Sequence, residues 1–361
     1  MKNNDMKLFV FPGNIEDEIL SIATEQIPYF RTDWFSNILL ENECMLLDLI
    51  GCSEGRVIPY TASGTAAMEA CLLGVSQIVD KKILTIAGGT FGCRWGEMCR
   101  MHDIDYCEFP VEYGKDINMQ GLRDEIVSGA YGALMMPHNE TLSGTLYDIE
   151  TISKWCKESG TLYLVDAISS FLADEFLMDL YGVDIAITSS QKGLTLPPGM
   201  SFVVLSKDVV SNAAEVINGF YYDWKKHLSE SNLPRGQTPF SPATHLVMQM
   251  HKRLKGIVES GIESFQGHVQ ARASAFREEI KKYGWEFTTE GCMASCVTGI
   301  RLPVRARPLV DYLESKNIYV IPSYDKPPFD HVLRVAHYGC LTPNDDVELA
   351  KEMKKWIKNQ K

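Results

Sequence analysis

Residues 162–199 read LYLVDAISSFLADEFLMDLYGVDIAITSSQKGLTLPPG. One apolar run closes on Asp166; a second, 184–188, is followed by Lys192 and then by a Gly/Pro-rich turn. Short apolar runs without polar alternation mark strands covered on both faces, as in parallel sheets. Lys192 lies 26 residues beyond Asp166, which sets the two at the ends of neighbouring strands. Similar runs recur at 82–87, 104–109, 131–137, 161–166 and 200–205, with helix-length segments at 66–75, 96–102 and 149–159 between them. The expected fold class is therefore α/β, a mostly parallel, doubly wound sheet built from repeated strand–helix units. Residues 245–282 form one long amphipathic stretch that holds the junction between a large domain, 15–255, and a smaller α+β C-terminal domain, 256–361. The N-terminal segment 1–14 is expected to pack near the smaller domain, and IPSYDKPPF (321–329) reads as a surface loop.

The wider composition narrows the classes of function. A chain of 361 residues with 45% hydrophobic and 23% charged side chains has the profile of a globular protein with a large core. The 35 Lys and Arg against 47 Asp and Glu give a net charge of −12, opposite to the footprint of a nucleic-acid binder or a ligand of anionic membranes. Ten cysteines are scattered through apolar contexts; Cys292 and Cys296 form only a C-x-x-x-C, so reduced thiols are expected and a metal site is not. The N-terminal MKNNDMKLFVF lacks the apolar length of a signal peptide, and the uncharged run 193–206 falls short of the roughly 18 residues of a membrane span. A cytoplasmic location is expected. No P-loop or H-E-x-x-H stands in the chain.

In an open α/β sheet, ligands bind beyond the carboxyl ends of the strands, so the residues after each run carry the candidate chemistry. Ser63, Gly64 and Thr65, in TASGTAAMEA (61–70), open a helix with free backbone N–H groups and two hydroxyls. That is a cradle for an anion such as phosphate, or more plainly a helix cap by Ser63 or Thr65. Phe91 stands in a flexible glycine-rich turn, GGTFGCRWG (88–96), as core filler or as a face for stacking on a ring. Asp166 is costly to bury unless it meets a cation or a protonated nitrogen. Lys192 reads as a surface lysine or, if desolvated, as an amine whose lowered pKa makes it a nucleophile towards carbonyl carbon. Together the four positions describe one ligand with a phosphate, an aromatic ring, a ring nitrogen and an aldehyde: pyridoxal 5'-phosphate. Asp166 would keep the ring nitrogen protonated, and Lys192 would be the base that moves a proton at the substrate carbon.

The motifs, in order and nearly end to end, resemble the class V, fold type I pyridoxal-phosphate aminotransferases. The branch most similar holds the alanine–glyoxylate, serine–pyruvate and 2-aminoethylphosphonate–pyruvate transaminases. The marks are FPG (11–13), SGTAAMEA (63–70), FGCR (91–94), HNETLSGTLYD (138–148), LVDAISS (164–170), SSQKGLTLPPG (189–199), RGQTPFSPA (235–243) and LRVAHYG (333–339). The resemblance implies that Lys192 is the Schiff-base lysine, Asp166 the partner of the pyridine nitrogen and Phe91 the stacking aromatic. It puts Ser63, Gly64 and Thr65, with Gln191, around the phosphate end, Thr141 near the ring hydroxyl and Ile168 against the opposite ring face. Thr238 matches the position from which a second subunit reaches the phosphate, which implies a homodimer with shared sites. Arg334 matches the arginine for the substrate carboxylate, and Arg31, in YFRTDWF, stands where it can meet a second anionic group.

The implied reaction moves an amino group from a small donor, of the alanine, serine or 2-aminoethylphosphonate type, to an α-keto acid such as pyruvate or glyoxylate. Asn14 in Pro12-Gly13-Asn14, Phe30 and Leu142 depart from the family's pattern, all near the substrate end. The nearest rival is a lyase such as a cysteine desulfurase on the same fold. Against it, Gln191 stands where desulfurases have histidine, and no cysteine sits in an evident mobile loop. A non-catalytic protein of this fold is the remote alternative, disfavoured because both Lys192 and Asp166 are present.

Overall fold

The computed structural model describes residues 6–360; of the N-terminal segment 1–14, residues 1–5 lie outside the described residues. The large unit is organised by seven strands: β1 (Arg56–Tyr60), β2 (Lys82–Ala87), β3 (Tyr106–Pro110), β4 (Tyr131–Pro137), β5 (Leu162–Asp166), β6 (Ile185–Ser189) and β7 (Ser201–Leu205). They form one sheet in the order β1-β7-β6-β5-β4-β2-β3. Strands β2 to β6 pair in parallel, with Pro137 opposite Asp166 and Asp166 opposite Ile187. β7 is antiparallel to both β6 and β1, which corrects its expected parallel direction. An apolar run buried on both faces looks the same whichever way it points. The burial is indeed two-sided. Leu134, Met136, Tyr163 and Val165 pack into one core and Ala133, Met135 and Leu164 into another across the sheet.

Helices cover both faces. α1 (Gly64–Ile78) follows β1, α2 (Thr90–Met101) follows β2, and α3 (Ile149–Ser159) precedes β5. The Asp148 side chain caps α3 by accepting from Thr151 N at 2.9 Å, and Gly160, at φ 68°, ends it. The amphipathic stretch expected to be one helix is two, α4 (Thr244–Ser260) and α5 (Ile262–Lys281). Gly261, at φ 82°, breaks it there, a conformation that L-residues with a Cβ avoid.

The smaller unit carries an antiparallel sheet of β8 (Glu286–Phe287), β9 (Val297–Arg301), β10 (Ile321–Pro322) and β11 (Val332–Ala336), in the order β8-β9-β11-β10. The stretch 321–329 is therefore not wholly loop, since its first two residues pair with Leu333 and Arg334. A separate core joins Phe276, Ile280, Leu309, Val335 and Leu349, and Phe9 is buried in it. Lys7 and Leu8 pair in parallel with Ile318 and Tyr319, which ties the described part of the N-terminus to this unit.

Candidate active site

Beyond β2 the chain first goes to the edge strand β3 and then returns to the other side of β2 as β4. At such a reversal the loops leave in opposite directions and a crevice opens at the carboxyl ends. A cleft of about 470 Å³ lies there. Its walls include Ser63, Gly64 and Thr65 after β1, Phe91 after β2, Thr141 after β4, Asp166 and Ile168 at the end of β5, and Gln191 and Lys192 after β6. Nine of the twelve residues nominated from the sequence thus converge on one cavity.

Each wall has a local cause. Ser63 occupies the N-cap position of α1 in extended conformation, yet its side chain caps no N–H, so the hydroxyl is open. A Cβ at Gly64 would stand 2.6 Å from Ile168 Cδ1; only glycine admits that approach. Asp166 Oδ1 accepts from Ile168 N at 2.9 Å. The carboxyl is buried, and burial pushes its pKa up to about 7, the hydrogen bond from Ile168 opposing. Lys192 is half-buried, with Nζ 3.4 Å from the centroid of the Phe11 ring. Burial pushes its amine down to about 8, with Arg334 and Arg94 adding to the effect and Asp166 opposing it. The surface-lysine reading falls with that burial.

Phe91 is carried by a helix, not by the flexible turn expected at 88–96, because α2 already starts at Thr90. The cause is distant in sequence. Glu140, wholly buried in a two-residue strand after β4, caps α2 by accepting from Gly92 N at 3.0 Å, and also accepts from Leu142 N at 3.2 Å. A Cβ on Gly89 would come within 2.5 Å of the Glu140 carboxyl carbon, so the glycine makes room for the cap. Next to it, Thr141 Oγ1 donates to Ser169 Oγ at 2.7 Å, and Asn139 Nδ2 donates to Ser169 Oγ at 3.1 Å and Cys296 Sγ at 3.0 Å. Asn139 Oδ1 and Gln191 Oε1 are buried without a partner among the described residues.

Arg334 is mostly buried on β11. It donates to Thr141 O at 3.2 Å and Pro322 O at 3.3 Å, leaving Nε without a partner among the described residues. With Thr90, Phe91, Leu142, Ser323 and Tyr324 it lines a second cavity of about 410 Å³ that adjoins the first across Phe91. Thr238 and Arg31 lie elsewhere. Arg31 Nη1 donates to Thr238 O at 2.9 Å and Gln237 Oε1 at 2.8 Å, and Thr238 borders a different pocket with Tyr60, Tyr221 and Phe240. The cleft also takes in Met68, Arg94, Asn139 and Ser169, which the sequence reading did not single out. All four fall inside motifs quoted above, so the motifs were the signal. Among the described residues no cysteine lines the cleft; Cys296 beside it is buried, and burial pushes its thiol up, away from the thiolate a sulfur nucleophile needs.

These residues fit pyridoxal phosphate. The open start of α1 suits the phosphate, Asp166 makes no salt bridge among the described residues and a protonated ring nitrogen would supply one, and the Lys192 amine faces the same space. The Aminotransferase class-V family model matches residues 36–321, and the chain belongs to that family. The protein is accordingly an enzyme, a transaminase whose cofactor is pyridoxal phosphate. It is 28% identical to an uncharacterized aminotransferase of Methanocaldococcus jannaschii, over 92% of this chain and 88% of that one. It is 24% identical to the L-aspartate–glyoxylate aminotransferase of Paracoccus denitrificans, over 92% and 85%. The fold matches the crystal structure of an alanine–glyoxylate aminotransferase from Nostoc sp. with a TM-score of 0.87, at 22% identity, covering 96% of this chain and 93% of that one. Among the described residues no helix is long and apolar enough to cross a membrane.

Proposed function

We propose that Lys192 and Asp166 carry the transamination of a small amino donor with an α-keto acid. The observation that carries this reading is the convergence of a half-buried amine, a buried carboxyl and an uncapped helix start on one cleft. Pyridoxal phosphate, when bound, supplies an aldehyde for the amine and a ring that draws electrons from the adjacent carbon. Asp166 would hold the proton of the ring nitrogen, and the first N–H groups of α1 with Ser63, Thr65 and Gln191 would hold the phosphate. Phe91 and Ile168 would enclose the ring from its two faces, with Thr141 beside the ring hydroxyl. Lys192, pushed down to about 8, has a neutral fraction near neutral pH, so its Nζ can take a proton from the substrate carbon and return it.

Arg334 would fix the substrate's acid group with its guanidinium fork. The cavity beside it, walled by Phe91, Leu142 and Tyr324, would take the rest of a donor of the alanine, serine or 2-aminoethylphosphonate type. Glyoxylate or pyruvate is the proposed acceptor, in keeping with the glyoxylate named for two of the relatives. A homodimer would bring Thr238, with Arg31 bound to it, to the cleft of the second copy. The exposed Tyr29 and Trp34 flanking Arg31 support an interface there. All ten cysteines are free, which supports a reducing, cytoplasmic setting, and the two sheets with separate cores support a division near residue 255. A panel of alanine, serine, aspartate and 2-aminoethylphosphonate, each with pyruvate and with glyoxylate, tests the substrate reading. Turnover of one of the three small donors is expected, and reaction with aspartate alone would reject it.

A further inference from the structure

Arg94 stands on the second turn of α2 and lines the cleft, but the roles above leave it without one. Its Nη1 donates to Thr65 Oγ1 at 3.1 Å, and its guanidinium carbon lies 5.0 Å from the centroid of the Phe91 ring. That hydrogen bond places it at the α1 end of the cleft. It does not border the neighbouring cavity where Arg334 sits. Its charge reaches the chemistry, since it lowers the pKa of both Asp166 and Lys192.

Charge counting shows what is missing at that end. A phosphate monoester carries about −1.5 to −2 near neutral pH. A helix N-terminus offers roughly half a positive charge. Ser63, Thr65 and Gln191 are neutral, and Lys192 is committed to the aldehyde end. Arg94 is the cation within the cleft that is left, and a guanidinium can present two N–H groups to two phosphate oxygens.

We propose that Arg94, anchored on Thr65 and laid against Phe91, is a ligand of the coenzyme's phosphate and completes the anion site begun by the start of α1. The inference rests on the reading that the cleft takes pyridoxal phosphate. It is tested by comparing a coenzyme with and without its phosphate. Full-length protein freed of coenzyme by dialysis is titrated with pyridoxal 5'-phosphate and with pyridoxal, and binding is followed by tryptophan fluorescence. Arg94→Gln and Arg94→Lys are measured beside the parent.

The parent should prefer the phosphate ester. In Arg94→Gln that preference should shrink on the order of tenfold, the loss of one hydrogen bond to a charged group, while pyridoxal affinity changes less than about twofold. Arg94→Lys should recover part of the preference, since the charge returns without the fork. An unchanged preference in Arg94→Gln overturns the proposal. So does an equal loss for both compounds, which would mean that Arg94 acts only through the Phe91 ring. A parent protein that binds neither compound would instead remove the coenzyme reading itself, and Arg94's role with it.

Discussion

Lys192 Nζ lies 3.4 Å from the centroid of the Phe11 ring, and Phe11 comes from the N-terminal segment that pairs with the smaller unit. The ring is a wall that keeps water from the amine. Burial is the foremost reason that the amine titrates near 8 rather than at its ordinary 10.5. Phe11→Ala should let water in and raise the midpoint by about one unit. The rate of coenzyme capture against pH reports this, because only the neutral amine attacks an aldehyde. A midpoint that falls would mean that the ring acts mainly by attracting the cation.

Asp166 sets a second pH dependence with a definite sign. Its carboxyl is raised from 3.8 to about 7, so between these values the folded, coenzyme-free chain binds a proton that the unfolded chain does not. Stability of the coenzyme-free protein should therefore fall as pH rises through that window. Asp166→Asn should weaken this dependence, leaving the share of other buried carboxyls such as Asp174, and be the more stable form at pH 8, by on the order of 3 kcal/mol, with no difference near pH 4. The same variant should fail to retain coenzyme. Urea unfolding at the two pH values, with coenzyme retention on dialysis, checks both outcomes.

Gly64→Ala probes the close approach of α1 to the loop after β5. The new methyl would meet Ile168 Cδ1 at 2.6 Å and push that side chain towards the ring site. Overpacking of this kind costs about 1–3 kcal/mol. Coenzyme affinity should drop on the order of tenfold, and Ile168→Val in the same chain should restore part of it.

The smaller unit holds a buried ion pair whose loss should be structural only. Arg272 Nε donates to Asp346 Oδ2 at 2.6 Å, and His337 Nδ1 donates to Asp346 Oδ1 at 2.9 Å, all three side chains being inaccessible. Burial pushes His337 down to about 4, so it is neutral and Arg272 alone balances the carboxylate. Arg272→Met should cost about 3–5 kcal/mol by stranding that charge. Arg272→Met with Asp346→Asn should recover part of the loss. Coenzyme affinity of the folded fraction should not change.

Much of the cleft was legible because its residues follow strands whose apolar runs are unmistakable, as with Asp166 after LYLV and Lys192 beyond IAITS. The direction of β7 was not, since two-sided burial erases the alternation that would orient a strand. The early start of α2 was hidden because its cap, Glu140, comes from the segment after β4 and not from the preceding residues. Gly261 divides α4 from α5 without disturbing the amphipathic pattern, so the break left no periodic trace. Arg94 lies in the FGCR motif, but its turn into the cleft comes from the packing of α2 against α1, which the motif does not spell out.

The central claim is that the Lys192 amine is the one that takes the coenzyme. Reduction of the coenzyme-loaded protein with borohydride, digestion and mass spectrometry locate the lysine that carries the pyridoxyl group. The expected result is a single modified peptide bearing the group on Lys192. A pyridoxyl group on another lysine, or none on any, would contradict it.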